Sequence, residues 1–156
     1  MQAASGDITR VFLELGGKSP NIIFADADPR AASAGAQIGI FFNQGEVCQA
    51  GSSLLVHEDI HGDMVSRMIE RAKNLRMGDP MDPETRMGAV VSQEQLNTIL
   101  GYVAIGLEEG VELVLGGSRK TGDVFDKGYY MESTPYDNVK SSMRIAQEEI
   151  FGRSSA

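Results

Sequence analysis

Residues 20–56, PNIIFADADPRAASAGAQIGIFFNQGEVCQAGSSLLV, hold two short apolar runs with a helical stretch between them. The runs Ile22-Ile23-Phe24 and Ser53-Leu54-Leu55-Val56 both predict short buried strands. Asp28-Pro29 is a strong helix start, because Asp caps free backbone N–H groups and Pro is tolerated in the first turn. A strand, a helix and a second strand in this order favour a parallel pair of strands packed against the helix.

The helical stretch is expected to run to about Asn43 and to be buried, because it carries small residues that allow close packing. These are Ala32, Gly35, Ala36 and Gly39. The helix leads directly into a loop around Cys48.

Upstream, Val11-Phe12-Leu13 predicts another buried strand, followed by a turn over residues 16–21. Downstream, apolar residues at helical spacing predict a helix from about Ile60 to Leu75. A third helix begins at Ser92, where Ser92-Gln93-Glu94-Gln95 fits a capping box, and Gly110 ends it.

Residues 111–115 predict a further strand, and residues 128–132 and 142–146 are weaker strand candidates. Alternating strands and helices predict the α/β class, with a mostly parallel sheet flanked by helices. Neither an internal repeat nor a linker interrupts the pattern, so we expect one domain or part of one.

Composition excludes several classes of function. The 156 residues are 42% hydrophobic, enough for a core, and carry a net charge of −8, which disfavours nucleic acids and anionic membranes as partners. A single cysteine cannot form an internal disulfide. We see no signal peptide and no apolar stretch of ~20 residues, so we expect a soluble, cytoplasmic protein.

Cys48 lies between Gly45 and Gly51, which let the backbone bend and bring N–H groups near the sulfur. Such groups can stabilise a thiolate and later an oxyanion, so Cys48 is a candidate nucleophile. A lone cysteine can equally be an inert core residue. Local sequence leaves both interpretations open.

Glu14 ends an apolar run and precedes two glycines. It is either a solvated carboxylate at a strand end or a general base, whose pKa apolar neighbours would raise. Near the C-terminus, Glu149 and Phe151 could hold a nucleotide sugar and its attached ring, although an acidic pair before an apolar pair is commonplace.

Two other features predict no site. His57 and His61 are four residues apart without a third ligand nearby, so we expect no metal. Residues 116–122 (GGSRKTG) lack the Gly-Lys-Ser/Thr order of a phosphate-binding loop.

Three segments together resemble signatures of the aldehyde dehydrogenase superfamily. Leu13 to Pro20 resembles its glutamate signature, Phe41 to Ser52 its cysteine signature, and Glu149 to Gly152 a later cofactor-contact motif. The resemblance runs from about Arg10 to Gly152 and implies part of the catalytic domain of that family.

The resemblance implies a role for each matching residue. Cys48 is similar to the nucleophile that attacks an aldehyde, and Glu14 to the base that activates water to hydrolyse the resulting thioester. Leu15 and Gly16 lie where the family's backbone approaches the nicotinamide of NAD or NADP. Glu149 is similar to the ribose-binding carboxylate, and Phe151 to the residue near the nicotinamide.

The sequence also departs from the family pattern. Glu46 stands in place of the usual glutamine, Ser53 in place of a frequent arginine, and Arg153 in place of a proline. We expect residues 1–152 to form a partial catalytic domain and residues 153–156 a divergent tail. The dinucleotide-binding domain, which in the family supplies an oxyanion-binding asparagine, is expected to be absent.

Three functions are compatible with this sequence. The chain is an aldehyde-oxidising fragment that is inactive or severely impaired by itself, a binding or assembly module that forms a homo-oligomer, or a slow thiol esterase. The first requires a small-molecule aldehyde and NAD or NADP, whose binding by this chain is doubtful. The second follows if exposed apolar surface drives association.

Overall fold

The first structural unit is the strand–helix–strand segment that the sequence predicts. The computed structural model describes residues 2–7 and 9–155. Strand β1 (Pro20–Ile23) pairs in parallel with β2 (Ser53–Val56), and helix α1 (Pro29–Phe41) connects them. The Asp28 side chain accepts a hydrogen bond of 2.9 Å from the Arg30 backbone N–H, which is the predicted N-cap.

Helix α2 (His61–Lys73) packs against α1 and confirms the second predicted helix. The two helices share a core cluster with Met87, which comes from the polar connection that follows α2. Its buried members are Ala36, Ile40, Phe41, Met68, Ala72 and Met87. Helix α1 is less buried than we expected, because Gly35 and Gly39 are both exposed.

Helix α3 (Gln93–Glu109) organises the second half of the chain. Ser92 caps it, and Gly110 ends it with a φ of 87°, a left-handed conformation that suits glycine. Helix α3 contributes three buried residues, Leu96, Ile99 and Val103, to the larger core cluster, and Val111, two residues after the helix end, joins them.

The second sheet has the order β3–β4–β5 and differs from the prediction in detail. Strand β3 (Glu112–Leu113) is antiparallel to β4 (Thr134–Asp137), and β4 is parallel to β5 (Ser154–Ser155). Among the described residues, two of the three strand pairings are therefore parallel, which confirms the α/β class with mostly parallel pairing. The strands, however, are divided between two small sheets.

Three strand predictions are wrong. Residues 11–13 are exposed and form no strand, with Phe12 90% exposed. Residues 128–132 contribute only an isolated bridge between Arg119 and Met131. Residues 142–146 instead contain most of a short helix, α4 (Arg144–Gln147), and Met143 and Ile145 are buried in the larger core cluster.

Short 3₁₀ helices complete the described elements, at Gln2–Ala4, Phe42–Gly45, Glu58–Ile60 and Asp123–Lys127. Within residues 2–7 and 9–155, no helix is both long and apolar enough to cross a membrane.

Arg153, the first residue of the divergent segment 153–156, lies inside the fold. The Arg153 side chain is fully buried, and its guanidinium donates a hydrogen bond to the Met131 carbonyl. Among the described residues its other two nitrogens find no acceptor. Burial lowers the pKa of Arg153 to about 10, an effect that Glu46 and Tyr130 partly oppose.

Candidate functional site

The chain turns sharply between the end of helix α1 and the Cys48 loop. Asn43, Gln44 and Gly45 follow one another with φ angles of 47°, 61° and 76°, all in the left-handed region. The Asn43 side-chain amide donates to the Glu46 carbonyl at 3.1 Å and holds this turn. Cys48 follows as a half-buried free thiol.

The Cys48 loop is fixed at both of its glycines. The Gly51 N–H donates to the Gly39 carbonyl of α1 at 3.0 Å. A Cβ atom on Gly45 would overlap the carbonyl group of Gly152, so the loop lies directly against the last part of the chain. The Gly45 contact explains the glycine at that position, because a side chain there would meet Gly152 and the backbone has a positive φ.

Glu14 lies in a different environment. Residues 9–19 have no regular secondary structure, and Glu14 is exposed together with its neighbours Leu13 and Leu15. Within the described part of the chain, the backbone N–H groups of residues 10–16 donate no hydrogen bond. Among the described residues, Glu14 is therefore solvated, which is one of the two interpretations that the sequence left open.

The glycine pair that follows Glu14 connects the three signature segments. The Gly17 N–H donates to the Glu149 carboxylate at 3.1 Å. A Cβ on Gly16 would overlap the same carboxylate, and a Cβ on Gly17 would lie 2.6 Å from the Cys48 carbonyl oxygen. Glu149, Gly16, Gly17 and the backbone of Cys48 therefore meet at one place.

This junction limits where Glu14 can lie. Three extended residues span at most roughly 10–11 Å, and Glu14 is three residues from Gly17. Its backbone therefore lies within that distance of a residue that touches Cys48. Leu15 lies between them, with its side chain 71% exposed.

Gln95 fixes the segment that carries Glu149 and Phe151. Its side-chain amide donates to the carbonyls of Ile150 at 3.0 Å and Phe151 at 2.7 Å. Phe151 has a φ of 54°, so these bonds hold a residue in a conformation that a bulky side chain rarely adopts. Phe151 is 39% exposed.

Gln95 is a site residue whose role the sequence analysis missed. The capping box predicts that the Gln95 side chain reaches back to Ser92, and only half of the box forms: Ser92 Oγ accepts from the Gln95 N–H at 3.1 Å. The Gln95 side chain is thereby free for residues 150 and 151. No local pattern indicates a partner 55 residues away.

The neighbouring carboxylates Glu148 and Glu149 have different partners. Glu148 accepts hydrogen bonds from Arg144 at 2.8 and 2.9 Å and from the Tyr102 hydroxyl at 2.8 Å. The bonds from Arg144, and then that from Tyr102, lower the pKa of Glu148 to about 2. Glu148 thus joins α4 to α3, while Glu149 contacts the glycine pair.

The junction surrounds a narrow cleft of about 10 Å³, the space of about one water molecule. Its walls include Gly17, Gly45, Val47, Glu149 and Phe151. The described residues line this cleft with backbone glycines and one carboxylate. They do not form an enclosing pocket.

The two histidines have different hydrogen-bond partners. His57 Nδ1 accepts a hydrogen bond from the Asp59 N–H, and His61 Nε2 lies 2.9 Å from Asp137. Among the described residues, no three His, Cys, Asp or Glu side chains converge as metal ligands.

Known proteins resemble this chain in sequence. The family model described as "Aldehyde dehydrogenase family" matches residues 1–153. A betaine aldehyde dehydrogenase of Mesorhizobium japonicum is 42% identical over 152 residues, which are 97% of this chain and 31% of the relative. A mitochondrial aldehyde dehydrogenase of Equus caballus is 45% identical over 97% of this chain and 30% of its own length.

Solved structures give the same result for the fold. The crystal structure of a betaine aldehyde dehydrogenase from Staphylococcus aureus in complex with NAD+ superposes with a TM-score of 0.94 and 40% identity. The match covers 99% of this chain and 30% of that protein. The chain therefore spans about a third of the length of the relatives that it matches.

Proposed function

Because this chain belongs to the aldehyde dehydrogenase family, we propose that it carries the thiol and carboxylate groups of an aldehyde-oxidising site. The observation that supports this proposal is the junction at Gly16 and Gly17. One glycine packs against Glu149 and the other against the Cys48 backbone, so segments distant in sequence meet as a site requires. Cys48 is the nucleophile in this proposal, and Glu14 is the general base.

The proposed chemistry uses groups of this chain at each end of the reaction. The Cys48 thiolate adds to the carbonyl carbon of an aldehyde, and the Cys48 backbone N–H stabilises the oxygen that becomes negative. Glu14 later removes a proton from the water that attacks the acyl group on Cys48. The aldehyde is a small molecule in this proposal.

Glu149, Leu15, Gly16 and Phe151 are the proposed contacts for NAD or NADP. When bound, the nicotinamide accepts a hydride from the substrate. The Glu149 carboxylate would bind ribose hydroxyls, and the backbone of Leu15 and Gly16 would lie beside the nicotinamide. Since these residues make a single wall, we propose that the chain alone binds the dinucleotide weakly and shows no detectable aldehyde oxidation.

Acyl transfer tests the two catalytic residues without a hydride acceptor. With p-nitrophenyl acetate, we expect the parent chain to acquire an acetyl group on Cys48, detected by mass spectrometry, and to release it slowly. Cys48→Ala should not be acetylated at this position. Glu14→Gln should still be acetylated, with slower hydrolysis than the parent; because Glu14 is only loosely held, we expect the loss to fall below the ~10²–10⁴-fold of a positioned general base.

Glu108→Gln is the matched control, because Glu108 is an exposed carboxylate on α3 far along the chain from Glu14. It should hydrolyse the acetyl group at the parent rate. Release at the parent rate by Glu14→Gln would remove the general base from the proposal. Ester turnover that is equal in the parent and Cys48→Ala would remove the nucleophile.

A second candidate function, homo-oligomeric assembly, is favoured by the exposed apolar face of the β1–β2 sheet. Ile22 and Leu55 are cross-strand partners, 58% and 53% exposed, and Phe24 is 66% exposed beyond them. Together with Phe12 they expose apolar surface of the kind that drives association.

Sedimentation velocity tests this candidate. We expect the parent chain to sediment as an oligomer, and a variant with Ile22→Thr and Leu55→Thr to dissociate. Met81→Thr is the control, since Met81 is 86% exposed in a loop away from this sheet. A parent chain that is monomeric at all practical concentrations would contradict assembly.

A further inference from the structure

The guanidinium of Arg153 is buried with much of its hydrogen-bonding capacity unused. Its Nη1 atom donates to the Met131 carbonyl and lies 3.3 Å from the Met77 sulfur. Among the described residues, its Nε and Nη2 atoms have no hydrogen-bond partner. A buried cation is costly unless a negative charge compensates it. A carboxylate close to Arg153 would offset this cost.

The Glu46 carboxylate binds the same part of the fold as Arg153. Glu46 Oε1 accepts a hydrogen bond of 3.1 Å from the Val91 N–H. The preceding residue, Val90, donates to the Tyr129 carbonyl at 3.0 Å. Tyr129 is two residues before the carbonyl that accepts from Arg153. Glu46 and Arg153 thus bind two segments that are hydrogen-bonded to each other.

A second contact brings the backbones of these two residues together. A Cβ atom on Gly45 would lie 2.7 Å from the Gly152 carbonyl carbon, and Glu46 and Arg153 are the next residues of these two segments. Since consecutive Cα atoms are about 3.8 Å apart, the Cα atoms of Glu46 and Arg153 lie within roughly 11 Å of each other. Burial lowers the pKa of Arg153, and the charge of Glu46 opposes this effect more strongly than Tyr130 does.

We propose that Glu46 is the counter-ion of Arg153 and that their attraction positions the Cys48 loop against the C-terminal segment. The hydrogen bond from Gly51 to Gly39 holds one end of this loop, and the charge pair holds the other. The attraction acts through space, because water and salt screen buried charges little. Both are positioning residues, and the inference rests on the proposed function only in treating Cys48 as the reactive group.

A double-mutant cycle tests the pairing. Glu46→Gln removes the charge and keeps an oxygen that can accept from the Val91 N–H. We expect it to lower the folding equilibrium constant about tenfold or more in the parent, because a buried cation is left uncompensated. In Arg153→Met, which has no cation, the same substitution should cost less than about twofold. Urea denaturation measures both, and equal losses in the two backgrounds would overturn the proposal.

A charge reversal tests the pairing without a change at Arg153. Glu46→Lys should be less stable than Glu46→Gln, because it places a second cation beside the guanidinium. In a chain of net charge −8, added positive charge otherwise lessens repulsion. Glu108→Lys is the control, since Glu108 is an exposed carboxylate on α3, and it should be as stable as the parent or slightly more. A Glu46→Lys variant at least as stable as Glu46→Gln would contradict the pairing.

Alkylation of Cys48 by iodoacetamide reports the position of the loop. We expect Glu46→Gln to react several-fold faster than the parent, because a loosened loop exposes the half-buried thiol. In Arg153→Met the same substitution should leave the rate unchanged. Ser92→Ala is the control, because it removes the N-cap of α3 and should lower stability without changing the rate. A rate in Glu46→Gln equal to that of the parent would contradict the positioning role.

These measurements use neither an aldehyde nor an ester, so the pairing and the proposed function can fail separately. Coupling between positions 46 and 153 in a chain whose Cys48 is not acetylated by p-nitrophenyl acetate would support the pairing and remove the nucleophile. Acetylation of Cys48 without such coupling would retain the nucleophile and overturn the pairing.

Discussion

The Cys48 loop and the segment that carries Glu14 belong to one proposed site, yet they are held in opposite ways. The loop is fixed by the Gly51–Gly39 hydrogen bond and by contact of Gly45 with Gly152. The segment of residues 10–16 is exposed and makes no backbone hydrogen bond as donor among the described residues. The nucleophile is thus positioned by this part of the chain, and the base is only tethered near it.

The difference separates the two halves of the proposed reaction. Attack by Cys48 needs the loop, which is formed here, whereas hydrolysis needs Glu14 at a defined distance from a water molecule. We therefore expect acylation of the chain to be less impaired than deacylation. Each prediction below tests this contrast or the contacts that cause it.

Hydrogen exchange should show the largest difference between the two regions. We expect the amides of Gly17 and Gly51 to exchange roughly 100-fold or more slowly than those of residues 11–15, because only the former donate hydrogen bonds in packed surroundings. Amide exchange followed by NMR measures this ratio. Equal protection in both regions would mean that the Glu14 segment is as well fixed as the loop.

Gly17→Ala should disrupt the junction itself. Its Cβ would lie 2.6 Å from the Cys48 carbonyl oxygen, so we expect a loss of about 1–3 kcal/mol of unfolding free energy. Gly35→Ala is the control, because Gly35 lies within α1 with open space around it, and should gain about 0.5–1 kcal/mol. Urea denaturation measures both. A neutral Gly17→Ala would contradict the close contact.

Gln95→Met should loosen the segment that carries Glu149. The substitution removes two hydrogen bonds to residues 150 and 151, and we expect it to cost about 1–2 kcal/mol of unfolding free energy. Gln93→Met, on the exposed side of the same helix, should change the stability by less than about 0.5 kcal/mol. Similar losses in both variants would show that Gln95 has no special role.

Glu148 should contribute the smallest effect, and one that depends on pH. Its pKa is lowered to about 2 in the folded chain from an ordinary 4.5, so its stabilising contribution is present above 4.5 and is lost as pH falls toward 2. The melting temperature of the parent should therefore fall more steeply than that of Glu148→Gln over this interval. Parallel curves would show that the Arg144 and Tyr102 contacts are absent in solution.

Local signals in the sequence were sufficient for helices α1, α2 and α3 and for the first strand pair, but not for α4. Asp28, Ser92 and Gly110 mark helix ends through their own side chains or conformations, and β2 begins and ends where its apolar run predicts. Strand β4 was missed because it contains Pro135 and few apolar residues, and β5 because it has two serines. Residues 11–13 are apolar enough for a strand, but no neighbouring strand of the described chain pairs with them.

The candidate site, like the fold, could be predicted from the sequence only in part. The meeting of the Cys48, Glu14 and Glu149 segments was implied by their resemblance to family signatures, and Gly16 and Gly17 are explained by it. The Gln95 side chain acts through partners far away in sequence. Its role depends on tertiary packing, which no local pattern encodes.

The buried Arg153 has a consequence for the far end of the molecule. Burial lowers its folded pKa to about 10, so the unfolded chain holds this proton more tightly, and the charge opposes folding at neutral pH. Arg153 therefore adds an energetic cost just before strand β5, next to Gly152, against which Gly45 packs. We expect release of this strand to remove one contact of the thiol loop.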